Sequence, residues 1–216
     1  MVITFYGQSC FKIETQGITI AIDPFSKELG LTPPRFKADL LFITHEHSDH
    51  ANREAFKDAF VIDGPGEYDV KGVAAKGIFS FHDAQEGKER GVNAIYRVEA
   101  ENIALAHMGD FGQKELSSGQ LEALGAIDIL MVPAGGNYTI DAETAVKITA
   151  KLEPKIVIPM HYALPKITAK LETVEQFLKE IGQKPQPMAK LAVKKKDLGE
   201  DGTKVAVLTP PALATN

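Results

Sequence analysis

The sequence predicts an α/β fold in which sheets lie inside and helices outside, and three observations lead there. Short segments rich in Val, Ile, Phe and Thr fill the first half of the chain. In the second half, helix-like and strand-like segments alternate, and no linker or low-complexity stretch divides the two halves, so residues 1–216 read as one domain. Finally, "DLLFIT" (39–44) and "KIVIPMH" (155–161) are continuous apolar runs of the kind that need cover on both faces.

In chain order, strands are expected at 2–7, 10–14 and 18–23, with Gly or polar breaks between them. Asp23-Pro24 ends the third, and "LTPPRF" makes a stiff loop before the strand at 39–44. A short helix is expected at 52–59 and a strand at 60–63. The Gly-punctuated segment 64–82 predicts a hairpin or meander, in which Glu67 and Asp69 belong to turns. Strands follow at 93–100 and 102–107, and helices at 114–124 and 141–152 flank a strand at 127–133. Leu171, Val174, Phe177, Leu178 and Ile181 recur at helical spacing and predict an amphipathic helix over 169–181. "KLAVKK" (190–195) and "KVAVLT" (204–209) close the chain as strands.

With 44% hydrophobic and 25% charged residues, the composition is that of a water-soluble globular protein. A net charge of −5 gives no general attraction to nucleic acid or to an anionic membrane. The single cysteine, Cys10, cannot form an intrachain disulfide and sits in an apolar strand as a core residue. The N-terminus lacks a basic segment followed by a long apolar one, and no run approaches the ~18–20 apolar residues of a membrane helix. A cytoplasmic protein without membrane contact is expected, and no feature of the sequence specifies an oligomeric state.

The six histidines carry the chemistry. His45, His47 and His50 stand with Asp49 in "THEHSDH", directly after the apolar run at 39–44. His45 and His47, at i and i+2, share one side of an extended segment. His82, His107 and His161 each fall at or near the end of another apolar strand, the edge where open α/β sheets build their sites. A lone histidine at a strand end is usually only hydrogen-bonded. A cluster this dense in imidazoles and acids is instead stabilised by a cation among them. The spacing is not that of a helical HExxH motif, because Asp49 stands where the second histidine would be. Imidazole and carboxylate ligands suit zinc, manganese or iron, and those available outnumber the four of a single tetrahedral zinc. They suit two metals that share a bridging carboxylate, and the lack of cysteine argues against a structural zinc site.

"HEHSDH" (45–50), a separate His82, Asp110 after a glycine and a final His161 together resemble the signature of the metallo-β-lactamase superfamily, and the similarity runs from "GQSCFKIE" to "IPMHY". Within it, the chain is similar to the small predicted metal-dependent hydrolases related to L-ascorbate-6-phosphate lactonase. It shares their "GQSCFKI" start, "IDP" (22–24), "PAGG" (133–136) and "IPMHY" (158–162). The resemblance implies an αββα sandwich with its site along one edge of the sheets. It assigns His45, His47 and His82 to one metal and Asp49, His50 and His161 to a second, with Asp110 bridging. His107 matches no ligand position and is expected to support the strand end. Many relatives follow "GD" with Thr, whereas Phe111 stands here, so a hydroxyl near Asp110 is missing.

Two divalent ions are therefore expected, Zn2+ first, with Mn2+ or Fe equally suited to the ligands. The expected enzyme is a metal-dependent hydrolase that turns a metal-bridging hydroxide on an ester, lactone or phosphodiester-type small molecule. Asp49 is expected to orient that nucleophile and carry a proton to the leaving group. A nuclease or phosphodiesterase acting on nucleic acid is the alternative, supported by five lysines and no acid over 184–196, although an edge strand protected by charge explains these equally well. A non-catalytic, metal-stabilised binding module is a third reading. The redox branch of the superfamily carries Glu at the position of His47 and an attached flavin domain, and neither is present. Asn137, Tyr138 and Tyr162 are weaker candidates, for pocket lining or for packing.

Overall fold

The first strand of the chain alternates buried and half-buried residues, the next three become increasingly buried on both faces, and together they begin the first sheet. β1 (Val2–Gly7), β2 (Cys10–Thr15) and β3 (Ile18–Ile22) pair as an antiparallel meander, and β4 (Leu40–Phe42) and β5 (Phe60–Ile62) add to it in parallel. All three residues of β4 are buried because both its faces are covered. Leu40 and Phe42 enter the main core, while Leu41 packs outside with Ala21, Ile43 and Phe56. The computed structural model describes residues 1–199 and 201–213.

The second sheet begins as an antiparallel run of β6 (Gly66–Val70), β7 (Val73–Phe81), β8 (Val92–Ala100) and β9 (Ile103–His107). It continues in parallel through β10 (Ile129–Pro133), β11 (Ile156–Met160) and the short β13 (Lys204–Val205). β12 (Leu191–Ala192) edges the first sheet beside β1. The inner faces meet in one apolar cluster, to which Phe5, Phe11, Phe42 and Tyr96 contribute large buried rings. α1 (Ser118–Leu124) and α2 (Ala142–Leu152) lie against β7 and β10 of the second sheet, where α2 buries Ala142, Ala145 and Ile148, and α3 (Val174–Ile181) packs on α2.

The layered α/β architecture is as expected, but the helices are fewer and shorter. Segment 52–59 is a 3-10 turn over Arg53–Phe56 whose leading Asn52 makes no capping bond. α1 starts at Ser118, where Ser117 and Gln120 form a reciprocal capping box, and not at 114. α3 starts at Val174 because the preceding residues are tied elsewhere: Glu172 N–H donates to Gly135 O and Ala163 N–H to Glu172 O. Of the two C-terminal strands, only two residues each pair, and Lys195–Asp197 forms a 3-10 turn.

Candidate metal centre

β3, β4, β7, β9 and β11 all deliver their C-terminal ends to one edge of the sandwich. There the chain places Asp23, His45–His50, His82, Asp110 and His161 in turn. All seven residues expected as ligands converge. One group, His45, His47 and His82, and another, Asp49, His50 and His161, each offer ligand atoms within 4.8 Å of one another. Asp110 lies between them: its Oδ2 is 3.8 Å from His45 Nε2, 3.3 Å from His50 Nε2, 3.3 Å from His82 Nε2 and 3.1 Å from His161 Nε2.

Hydrogen bonds set which imidazole nitrogens face inward. Asp23 Oδ2 accepts from His50 Nδ1–H at 3.0 Å and from Thr44 Oγ1–H at 2.7 Å, and its Oδ1 accepts from Thr44 N–H at 2.8 Å. With its proton given to Asp23, Thr44 Oγ1 accepts from His45 Nδ1–H at 2.9 Å. One carboxylate thus holds the Nδ1–H of both rings and turns the Nε2 of His45 and of His50 towards Asp110. Asp23 is also within ligand range of these two histidines, yet its oxygens are already spent on these bonds, so it is a support. It sits at φ 45°, a conformation costly for a non-glycine residue that the network holds in place.

The remaining supports come from distant segments. Asn93 Oδ1 accepts from Asp110 N–H at 3.0 Å, while its Nδ2 donates to Ser80 Oγ and to Met108 O. Ser9 Oγ donates to Asp110 Oδ1 at 3.3 Å. Ser9 therefore supplies a hydroxyl to Asp110, and Phe111 is a fully buried core residue. Gln8 Nε2 lies 2.8 Å from Asp49 Oδ2 and 2.9 Å from His161 Nε2. His107 is fully buried outside the ligand groups, with Nε2–H donating to Ser9 O and Nδ1 accepting from Gly109 N–H.

Charges within the cluster are strongly coupled. Burial works to raise the Asp110 pKa, but the imidazoles of His161 and His50 hold it well below the usual carboxylate range. Burial works to lower the His50 pKa, yet the carboxylates of Asp110, Asp23 and Asp49 raise it well above that of a free imidazole. His45 goes the other way: burial, then the nearby His50, lowers it to about 3. For Asp49, burial opposes ionisation and the His50 hydrogen bond outweighs it, so the carboxyl is depressed.

The residues present fit divalent cations. Among the described residues, five buried side-chain atoms lack a hydrogen-bond partner: Gln8 Oε1, His45 Nε2, His50 Nε2, His82 Nδ1 and His161 Nδ1. Four of the five are imidazole nitrogens of this one cluster. Buried nitrogens are rarely left bare. Of these, the Nε2 atoms of His45 and His50 face Asp110 Oδ2, as do the Nε2 atoms of His82 and His161, and imidazole nitrogens gathered round one carboxylate oxygen are a donor set for a divalent cation. The centre is open on one side, since His47 is exposed and Asp49 half-buried, and they face a cleft of about 190 Å³.

Sequence reasoning missed Gln8, Ser9, Asp23 and Arg90, the last of which lines the cleft. "GQS" and "IDP" held the first three, as shared motifs without a role. Tyr138 also lines the cleft, whereas Tyr162 packs against Phe5 in the core and Asn137 Nδ2 donates to Lys170 O. Cys10 is buried, as expected.

The chain matches the family model for the β-lactamase superfamily domain over residues 2–161. It is 31% identical to a UPF0173 metal-dependent hydrolase of Thermococcus onnurineus, across 85% of this chain and 93% of that protein. It is likewise 31% identical to one of Pyrococcus horikoshii, over 85% of this chain and 93% of that one. Among solved structures, a proposed Zn-dependent hydrolase of the metallo-β-lactamase superfamily from Thermotoga maritima superposes with a TM-score of 0.80 at 35% identity, covering 96% of this chain and 97% of that one. A metallo hydrolase from Ignicoccus hospitalis shares the fold, with a TM-score of 0.68 at 24% identity over 97% of this chain and 95% of that one. A family match that takes in every candidate ligand, joined to relatives of this identity along nearly their whole length, makes the chain a member of the metallo-β-lactamase superfamily and of its UPF0173 metal-dependent hydrolases.

Proposed function

We propose that the protein is a dinuclear metal-dependent hydrolase, with zinc as the first candidate ion, acting on an ester, lactone or phosphodiester bond of a small molecule. The observation that carries this is the position of Asp110 Oδ2 within 3.1–3.8 Å of Nε2 of four histidines drawn from both ligand groups. His45, His47 and His82 would hold one ion, Asp49, His50 and His161 the other, and Asp110 both. Divalent cations held there supply Lewis acidity, lowering the pKa of a shared water and polarising a carbonyl or phosphoryl oxygen. Asp49 is held at Oδ2 by Gln8 and stands at the open side, where it orients the attacking water and carries its proton to the leaving group.

The rival readings fare less well. A structural site is closed, and this centre opens on a cleft through His47 and Asp49. As for a nucleic-acid grip, Lys195 of the 184–196 stretch is bound to both oxygens of Asp128, just before β10. That is the end of the strand away from the centre.

Metal analysis of the purified protein, with hydrolysis assays across lactone, thioester, phosphodiester and β-lactam substrates, tests the proposal. About two equivalents and turnover of at least one class are expected, and Asp49→Asn should lose about a hundredfold or more in rate, far more than it loses in stability. Fewer than two equivalents under metal-replete conditions, with no turnover, overturns it. An undiminished Asp49→Asn rate removes the role of that residue alone.

A further inference from the structure

Directly after His82, residues 83–91 fold around one carboxylate. Asp83 Oδ1 accepts from the backbone N–H of Gln85 at 2.7 Å and of Gly87 at 2.9 Å, and its Oδ2 from those of Glu89 at 3.0 Å and Arg90 at 2.8 Å. The loop is closed by Gly91 N–H to Gly87 O and by His82 N–H to Gly91 O. Four amides on one anion make a well-braced turn, and it ends by presenting Arg90.

The Arg90 guanidinium lies 5.0 Å from the centroid of the Tyr138 ring and lines the metal-centre cleft with His47, Asp49 and Asp110. Among the described residues, Arg53 pairs with Glu46 and Asp63, and Arg97 with Glu99, but no carboxylate lies within 4.0 Å of Arg90. Most surface arginines are simply solvated. Arg90 is instead half-buried, stacked on an aromatic face and held at the rim of the cleft with its donor fork unspent.

Next to this cleft lies a groove of about 280 Å³ lined by Pro65, Phe79, Val92 and Ala94. Phe79 is 46% and Val92 56% exposed, large values for apolar side chains on inner strands of a sheet. His47 and Arg90 are the two residues common to the groove and the cleft. A ligand spanning both passes between or beside His47 and the guanidinium. An anionic oxo group there gains a paired, charge-assisted contact, whereas a neutral group leaves the guanidinium partly desolvated and unpaired.

We propose that Arg90 is an anion-recognition residue, and that the substrates are small esters or lactones bearing a carboxylate or phosphate, with an apolar portion seated in the Phe79–Val92 groove. The substrate class rests on the hydrolase reading above, while the anion site itself does not.

Two measurements on the metal-loaded full chain test it. In the first, succinate and inorganic phosphate are titrated calorimetrically into the wild type, Arg90→Gln and Arg90→Lys, with metal content measured for each. At least one anion should bind the wild type, and Arg90→Gln should weaken it by about tenfold to a hundredfold at unchanged metal content. Arg90→Lys, which keeps the charge and loses the fork, should fall between, and the tighter anion tells carboxylate from phosphate. In the second, kcat/KM is compared for the 4-nitrophenyl monoester of succinic acid and for neutral 4-nitrophenyl valerate. The wild type should prefer the anionic ester by about tenfold or more, largely through KM, and Arg90→Gln should bring the ratio towards unity. Equal anion affinity in wild type and Arg90→Gln, or no binding to either, overturns the proposal. If neither ester is cleaved but anion binding still depends on Arg90, the ester part of the substrate class falls and the anion site stands. Cleavage of both esters with no charge preference overturns the site and leaves the hydrolase reading intact.

Discussion

Asp23 is the residue on which the electronic state of the centre turns. Through one direct bond and one relayed by Thr44, its carboxylate places protons on His50 Nδ1 and His45 Nδ1 and so turns the Nε2 of each ring to the inner side. Asp23→Asn keeps the shape, but its amide offers hydrogens where the oxygens must accept. Metal affinity measured by competition with a chromogenic chelator should drop about tenfold to a hundredfold, with the far-ultraviolet circular dichroism spectrum retained. Unchanged affinity would show that the tautomers are set without it. The candidate ligands that converge on this edge were legible in the sequence because metal chemistry uses few residue types and repeats them at strand ends, as at His45, His47 and His50. Gln8, Ser9 and Asp23 were not, since they are common residue types whose role is defined only by partners 21 to 153 positions away.

At the scale of the element, the strands were readable and the loops between them were not. Alternation in β1 and the apolar run of β4 follow from which faces are covered, a pattern written locally. Whether 169–173 is helix or loop depends on Gly135, whose carbonyl takes the N–H of Glu172, and no local pattern carries that. "PAGG" is accordingly more than a turn. A Cβ on Gly135 would overlap the carbonyl oxygen of His161 and crowd Tyr162 Cα, so the loop after β10 packs directly on the loop after β11 only because Gly135 has no side chain. His161 is itself held at φ 52° and leaves little room to adjust. Gly135→Ala should push His161 out of register. The expected result is a protein that folds, loses about 1–3 kcal/mol of stability in denaturant titrations, and binds fewer equivalents of metal than the wild type. Full metal content with wild-type stability would mean that the two loops can move apart freely.

For the whole molecule, the position of the centre at one end of the sandwich ties its protonation to global stability. In the metal-free protein His45 titrates at about 3, lowered by burial first and by His50 second, and burial likewise lowers His107. Between pH ~6.5 and pH ~4 the unfolded chain takes up a proton at His45 that the folded chain refuses, and His107, also lowered, acts in the same direction below pH ~6.5. Acidification through this window therefore favours unfolding, by up to about 1.4 kcal/mol per pH unit for each imidazole kept neutral. His50 has the opposite sign: its pKa is raised in the fold, so its contribution is complete below ~6.5 and is lost as pH rises through its folded value. Asp110 and Asp49, both depressed, add their own loss only below pH ~4, where the unfolded carboxylates begin to protonate. Chelator-treated protein should thus show a melting temperature that falls steadily from pH 7 to pH 4. Metal-loaded protein should melt higher at pH 7, because a bound ion stabilises the folded state alone. That advantage should shrink towards pH 4 as protons compete with the cation for the imidazoles. Differential scanning fluorimetry at matched ionic strength reads both curves. A metal-free melting temperature that stays flat or climbs on acidification would mean that His45 and His107 are already charged in the fold, and the neutral, inward-facing Nε2 of His45 would be wrong.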